Sequence, residues 1–431
     1  MPELSSQFLL QQLSLTSEHC VVLALSGGLD SMVLLHLLSQ ARAEQPFELQ
    51  AVYINHGISQ HAQDWAAFCA QQCAVRNVRF SQRKVELAGR DNLEFKARTA
   101  RYGALAEFVS SAQHLLLTAH HADDQFESLL LAIKRGAGVT GMGGIKAVRP
   151  FAAGHLQRPL LGISRQQLQQ YALAQQLSWV EDDSNSDQRF ERNFIRKQIT
   201  PLLTERWPHF IRSVGRSMDN MQQLEQLLQE YSDADLQRCV VNGNLCLAEL
   251  RKFSIVRQNY IIRRWLKQWQ LNPSSQWLDI LHSDVIAARE DASPMLQLEQ
   301  YQLRRFAQQL HLLSEQQCRP SLQQLTWQGD AEIVLADQCG RLLFSAEPGD
   351  NAMPLGAGNT EIVFGQLNLR FKPYGAAHSK PLKQWFKLWQ VAPWQRARTP
   401  LLLVDGQLQL VAGYGSAVAA EQASYWVSWH C

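Results

Sequence analysis

Several common features are missing from this chain, and each absence narrows what it does. The eight cysteines in 431 residues form no Cys-x-x-Cys pair, which removes the usual signature of a redox dithiol or a structural zinc site. Cys69 and Cys73 stand one helical turn apart and read as packing residues. Scattered thiols of this kind suit a reduced, cytoplasmic compartment. Neither charge sign dominates. The chain has 41 Lys and Arg against 39 Asp and Glu, a net charge of +2, so the average neither marks nor excludes a nucleic-acid partner. No apolar run is long enough to cross a bilayer, so no membrane association is expected. The opening MPELSSQFLLQQL has no basic n-region and no sustained apolar core, so no signal peptide is expected. Internal repeats and low-complexity tracts are absent. So is Gly-Lys-Ser/Thr, which rules out the common P-loop. With 46% hydrophobic and 19% charged residues, what remains is an ordinary globular composition, at a length that asks for two or three domains.

Strand-like and helix-like segments alternate through the first half. Val21 to Leu25, Leu49 to Ile54, Val78 to Val85 and His114 to Ala119 read as strands. Ser31 to Ser39, Gln60 to Val75 and Leu93 to Ser111 read as the helices between them. This alternation predicts a doubly wound parallel sheet, an α/β fold, over residues 1–215. From about 216 the pattern turns helical. Met221, Leu224, Leu227, Leu228 and Tyr231 share a face, and helical spacing runs on to about Leu313, giving a helical domain over 216–320. Short strand signals broken by Gly, Asp-Gly and Pro then predict a small α+β domain over 321–431.

The chemistry-bearing stretches begin with Ser26-Gly27-Gly28-Leu29-Asp30-Ser31, which joins a strand to a helix. Glycines there let backbone N–H groups approach a phosphate, and the helix dipole favours the anion. The bland alternative is a glycine turn with Asp30 or Ser31 capping the helix. His120-His121-Ala122-Asp123-Asp124 also follows a strand, so both motifs belong at the same rim of the sheet. Asp124 and Glu127 share a helix face and suit Mg²⁺ or a substrate ammonium, or else simply serve the helix dipole. A glycine-rich segment, Gly136 to Gly144, follows. EDDSNSDQRFERNFIR, from Glu181, then carries Arg192, Asn193 and Arg196.

Near the C-terminus the charges segregate. No acidic residue occurs from Ile362 to Val404, while Arg370, Lys372, Lys380, Lys383, Lys387, Arg396 and Arg398 accumulate, interleaved with Tyr374, Trp385, Trp389 and Trp394. Basic groups neutralise phosphates and aromatic rings stack on exposed bases. Arg196, Lys380, Lys383, Trp385, Lys387, Trp394, Arg396 and Arg398 are therefore candidate RNA contacts. The alternative is that the tryptophans are simply core.

The strand–SGGLDS–helix unit resembles the pyrophosphate-binding loop of the ATP pyrophosphatases. HHADDQFES, RGAGVTGMGGI, RPLL at Arg158 to Leu161, EDDSN…RNFIR and KPLKQWFKLWQVAPWQRARTPLLLV from Lys380 together resemble the tRNA(Ile)-lysidine synthetase family over nearly the whole chain. One departure is Ser128, where threonine is the family's usual residue.

The resemblance implies an ATP-dependent carbon–nitrogen ligase. Its substrates would be ATP, free L-lysine and the CAU-anticodon isoleucine tRNA, whose wobble cytidine becomes lysidine through an adenylated base. The change converts AUG reading to AUA. The 26–31 loop would hold the departing phosphates, with Asp30 on Mg²⁺. Arg98, Arg101 and Arg192 would stabilise negative charge, His120 would act as acid, base or α-phosphate contact, and Asp124 and Glu127 would hold lysine or Mg²⁺. A homodimer is compatible with this reading. The rivals are a tRNA thiolation enzyme, which usually needs a persulfide cysteine or an iron–sulfur site, a catalytically inactive RNA-binding relative, and a small-molecule amide ligase.

Overall fold

A computed structural model describes residues 4–57, 60–85, 93–181, 189–289, 292–349, 351–354 and 360–430. The chain divides into two compact units, Met1–Leu228 and Gln229–Cys431, with the division inside a long helix, Phe210–Cys239.

In the first unit the strands are β1 (Cys20–Ala24), β2 (Glu48–Asn55), β3 (Arg79–Lys84), β4 (His114–Leu117), β5 (Val148–Phe151) and β6 (Gly154–Gln157). They lie in the order β3-β2-β1-β4-β6-β5. All neighbours are parallel except the edge pair β5–β6. The helices that matter here are α1 (Ser6–Leu13), α2 (Leu29–Glu44), α3 (Ala62–Val75), α4 (Leu93–Ala106) and α5 (Ala122–Lys134).

Both sheet faces are covered, so the inner strands are apolar runs rather than alternating ones. Alternate residues feed opposite cores. Val21, Leu23, Leu115 and Leu117 pack with α1, α2 and α3, while Val22, Val52, Leu116 and Leu156 pack with Ala104 and Leu105 of α4. Cys69 and Cys73 belong to the first core, and burial pushes their thiols up to about 12 and about 11. This is the doubly wound sheet the sequence predicts. Its strand order turns back between β1 and β4, which is where such sheets open a crevice for ligands.

The second unit begins with helical segments around Trp265, Ile261 and Leu278. The helical spacing expected to run to Leu313 ends at Ile286. Three strands follow, Met295–Leu298, Tyr301–Phe306 and Gln309–Ser314, and they complete a five-stranded antiparallel sheet with Val240–Val241 and Asn244–Cys246. The hairpin escapes notice in the sequence because its turn is Ala307-Gln308, both left-handed (φ 47° and 58°) without Gly or Asn to mark it. The later hairpin Leu401–Val404/Gln407–Val411 turns at Asp405-Gly406 (φ 49° and 76°), the ordinary signal. Beyond residue 320 the described residues are strand-rich, with short helical segments at Leu382–Leu388 and Pro393–Arg396 among them, as expected.

Candidate active site

The loop from Ser26 is shaped by its small residues. Gly27 has φ +82°, and a Cβ there would meet Val180 Cγ2 at 2.9 Å and Cys69 Sγ at 3.0 Å. Its carbonyl accepts the Val180 N–H at 3.0 Å. Ser26 Oγ lies 3.1 Å from Ser31 Oγ, and Ser31 Oγ donates to Gly28 O at 2.9 Å. Gly28 is the N-cap of α2 and offers no side-chain acceptor to the first turn. The helix start therefore presents N–H donors and hydroxyls to an anion.

Facing it is the start of α5. His121 is buried, with Nε2 3.5 Å from Asp30 Oδ2 and 3.6 Å from Asp124 Oδ2, and Nδ1 3.6 Å from Asp123 Oδ2. Burial alone would lower its proton affinity, but the carboxylates of Asp123, Asp30 and Asp124 outweigh that and hold the imidazolium up to about 10. Asp30 is half-buried, which would raise its proton affinity, yet His121, Arg165 and Arg196 keep it below the usual carboxylate range. Arg165 reaches Asp30 Oδ2 at 3.1 Å, and its backbone N–H donates to Asp123 at 2.8 Å.

Arg196 lies in a single π-helical turn, Ile195–Ile199. It forks onto Glu127 at 2.7 and 3.1 Å and reaches Asp124 at 3.3 Å. Burial nevertheless raises the proton affinity of Glu127. The result is three carboxylates, Asp30, Asp124 and Glu127, tied together by one imidazolium and two guanidiniums beside the glycine loop.

His120 points to different company. Its Nδ1 is 2.8 Å from Thr118 Oγ1. Burial, reinforced by Arg158, Arg98 and Arg101 against the pull of Asp124, lowers it to about 3. It is a neutral imidazole at neutral pH. Arg98 and Arg101 lie over the ring of Tyr102, at 5.1 and 5.6 Å from its centroid. Arg192 donates to Ser128 at 3.4 Å. Of the EDDSNSDQRF stretch, residues 182–188 lie outside the described residues.

Three family descriptions match the chain: a PP-loop domain over residues 2–203, a TilS substrate binding domain over 245–311 and a TilS substrate C-terminal domain over 360–429. The tRNA(Ile)-lysidine synthase of Serratia proteamaculans is 41% identical over 91% of this chain and 90% of its own. That of Pectobacterium atrosepticum is 42% identical over 93% and 91%. The chain belongs to the tRNA(Ile)-lysidine synthase family. It is accordingly an enzyme, an ATP-dependent ligase built on a PP-loop domain. Among solved structures, the U34-tRNA thiolase NcsA from Methanococcus maripaludis is similar at TM-score 0.44 and 18% identity, over 51% of this chain and 77% of that one. No helix among the described residues is long and apolar enough to cross a membrane.

Against this lysidine-synthase framework the candidate RNA contacts divide. Lys383 and Lys387 are exposed on the short helix Leu382–Leu388. Lys380 lies over Trp385 at 5.1 Å, and Trp385 stacks on Trp389 with its Nε1 bonded to Phe371 O. Arg396 is half-buried, its Nε donating to Val391 O at 2.9 Å.

Three candidates have other partners in the structure. Trp394 is buried against Phe306 and His311, so it packs rather than stacks on a base. Arg398 is buried with its guanidinium on the carbonyls of Gln316, Arg319 and Asp337, where it knits loops together. Arg196 is held by Glu127 and Asp124 inside the first unit, which makes it part of the carboxylate site rather than an RNA-facing cation. Three residues of the site, His121, Asp123 and Arg165, are not among those the sequence singles out. For His121 the signal is present, since the doublet at a strand end places one histidine on each side of the rim.

Proposed function

We propose that the chain ligates free L-lysine to C2 of the wobble cytidine of the CAU-anticodon isoleucine tRNA, using ATP, in the cytoplasm. The observation that carries this reading is the convergence, at one sheet rim, of an anion-seeking glycine loop and a carboxylate set suited to a cation. Family membership over nine-tenths of the chain supports the substrates.

In this reading the 26–31 loop takes the β- and γ-phosphates. The base's C2 oxygen displaces pyrophosphate from the α-phosphorus, and the adenylated base is then attacked at C2 by the lysine ε-amine. The C2 oxygen departs with AMP. An oxide is a poor leaving group and a phosphate monoester a good one, so ATP activates an otherwise inert carbon.

Most of the acceleration comes from positioning and charge stabilisation. Arg98, Arg101 and Arg192 offset charge at the α-phosphate. Asp124 and Glu127 receive the lysine ammonium as Arg196 yields its place. Glu127, whose proton affinity burial raises, takes the ammonium proton before attack. His120, held neutral, hydrogen-bonds rather than acting as an acid. Mg²⁺, bound with the triphosphate, would supply charge neutralisation, and Asp30 would be the residue to hold it. One carboxylate suits an ion that draws its other ligands from phosphate and water. Among the described residues no group of three or more His, Cys, Asp or Glu side chains is arranged to hold a metal ion by itself. The basic, aromatic surface around Lys380, Lys383 and Lys387 grips the tRNA.

Mass spectrometry of the isoleucine tRNA after incubation with ATP and isotope-labelled lysine tests the reading. The expected result is one labelled lysine per tRNA, placed at the wobble cytidine. Asp30→Asn is expected to slow incorporation by about 10²–10³-fold with tRNA affinity retained. Unlabelled tRNA from the unmodified chain, or full activity in the variant, refutes it.

A further inference from the structure

A second cationic site lies on the α4 face of the same rim. Arg98 and Arg101 come from α4, Arg149 from β5 and Arg158 from the residue after β6. Arg98, Arg101 and Arg149 lie 5.1, 5.6 and 5.4 Å from the centroid of one ring, Tyr102, which packs edge-on to Phe151. Arg158 is 4% exposed and donates through one terminal nitrogen to Lys146 O at 2.6 Å. The buried Tyr102 hydroxyl and the Arg158 guanidinium lie beside one another, and beyond that pairing neither the hydroxyl nor Arg158 Nε has a hydrogen-bond partner. His56, one residue past β2, leaves Nδ1 buried and unpartnered as well.

Guanidiniums gathered this way, one of them buried, are costly unless an anion completes them. The Tyr102 ring face offsets only part of that through cation–π contact. Arginine forks and a phenol match the oxygens of a phosphate. The chemistry proposed above does not use Arg149 or Arg158.

We infer that Arg149, Arg158 and Tyr102 seat a backbone phosphate of the RNA next to the base being adenylated, beside the arginines that face the α-phosphate. The inference rests on the proposed function in taking RNA as the occupant. The triphosphate has its own seat at the loop after β1. β6 lies two strand spacings away, about 10 Å, and a base brought to the α-phosphate carries its flanking phosphodiester into that range. Since arginine stays charged throughout the working pH range, this seat holds the RNA independently of pH.

The test uses the full chain with Arg149→Gln, Arg158→Lys and Tyr102→Phe, each checked for native circular dichroism and melting. Two quantities are measured: the tRNA dissociation constant from 50 to 300 mM salt, and the affinity for α,β-methylene ATP. Arg149→Gln is expected to weaken tRNA binding about tenfold and flatten the log–log salt slope by about 0.7, the value for one single-strand phosphate contact. Arg158→Lys, which keeps the charge but loses Nε, is expected to weaken binding with the slope intact. Tyr102→Phe is expected to do the same to a smaller extent. All three are expected to bind the ATP analogue as before. Unchanged tRNA binding in all three variants overturns the inference. Weakened analogue binding with tRNA binding intact overturns it in favour of the triphosphate. Neither measurement depends on lysine incorporation, so failure of the proposed reaction is seen separately in the labelling experiment.

Discussion

At the scale of single residues, the adjacent histidines 120 and 121 show how strongly surroundings decide chemistry. His121 is buried and His120 half-buried, and the loss of water disfavours charge on both. His121 is compensated by three carboxylates and reaches about 10, whereas His120 faces arginines and falls to about 3. The His121 affinity is raised above its unfolded value of about 6.5. Its contribution to stability is therefore full below about pH 6.5 and is lost as pH rises towards 10, at no more than about 1.4 kcal/mol per pH unit. Urea denaturation from pH 6 to 10 is expected to show that decline in the unmodified chain and a flatter profile in His121→Gln. Parallel profiles would mean that His121 is neutral in the folded protein. The doublet is visible in the sequence, but not which member carries the charge, because the answer depends on Arg158 and Asp30, which lie far from it in the chain. Arg196 reads as an RNA-facing cation for the same reason: its partners Glu127 and Asp124 are 69 and 72 residues away.

At the scale of elements, local chemistry is readable wherever it is explicit. The apolar runs, the SGGLDS turn and the Asp405-Gly406 hairpin each carry their own instruction. The 301–314 hairpin does not, since its left-handed Ala307-Gln308 turn is imposed by the pairing of its strands, and the leucines flanking it fit a helix equally well. The π-helical turn that holds Arg196 is likewise invisible beforehand, though such turns recur at functional sites. The loop before α2 is the most constrained element. Gly27→Ala would force a side chain into the left-handed region and against Val180 and Cys69. A loss of about 1–3 kcal/mol is expected in urea denaturation, together with a loss of ATP-dependent lysine incorporation. A variant with native stability and activity would show that the loop tolerates a Cβ.

At the scale of the whole molecule, the even charge balance conceals a division of labour. The first unit concentrates arginines and carboxylates at one rim, and the second carries lysines on a stretch free of acids. The triple variant Lys380→Gln, Lys383→Gln, Lys387→Gln is expected to weaken tRNA binding and reduce its salt slope by up to about 0.9 for each phosphate that is no longer neutralised. Its affinity for the ATP analogue should be unchanged. A slope equal to that of the unmodified chain would remove this face from the RNA footprint.

Trp394 and Arg398 bear on a different question, the order in which the second unit is made. Trp394 covers Phe306 and His311, and Arg398 gathers the carbonyls of Gln316, Arg319 and Asp337. During synthesis the 301–314 hairpin leaves the ribosome about 80 residues before its cover, which at the usual 5–20 residues per second is a wait of roughly 4–16 s. Through that interval Phe306, His311 and Leu313 are without the Trp394 side chain that covers them in the folded unit.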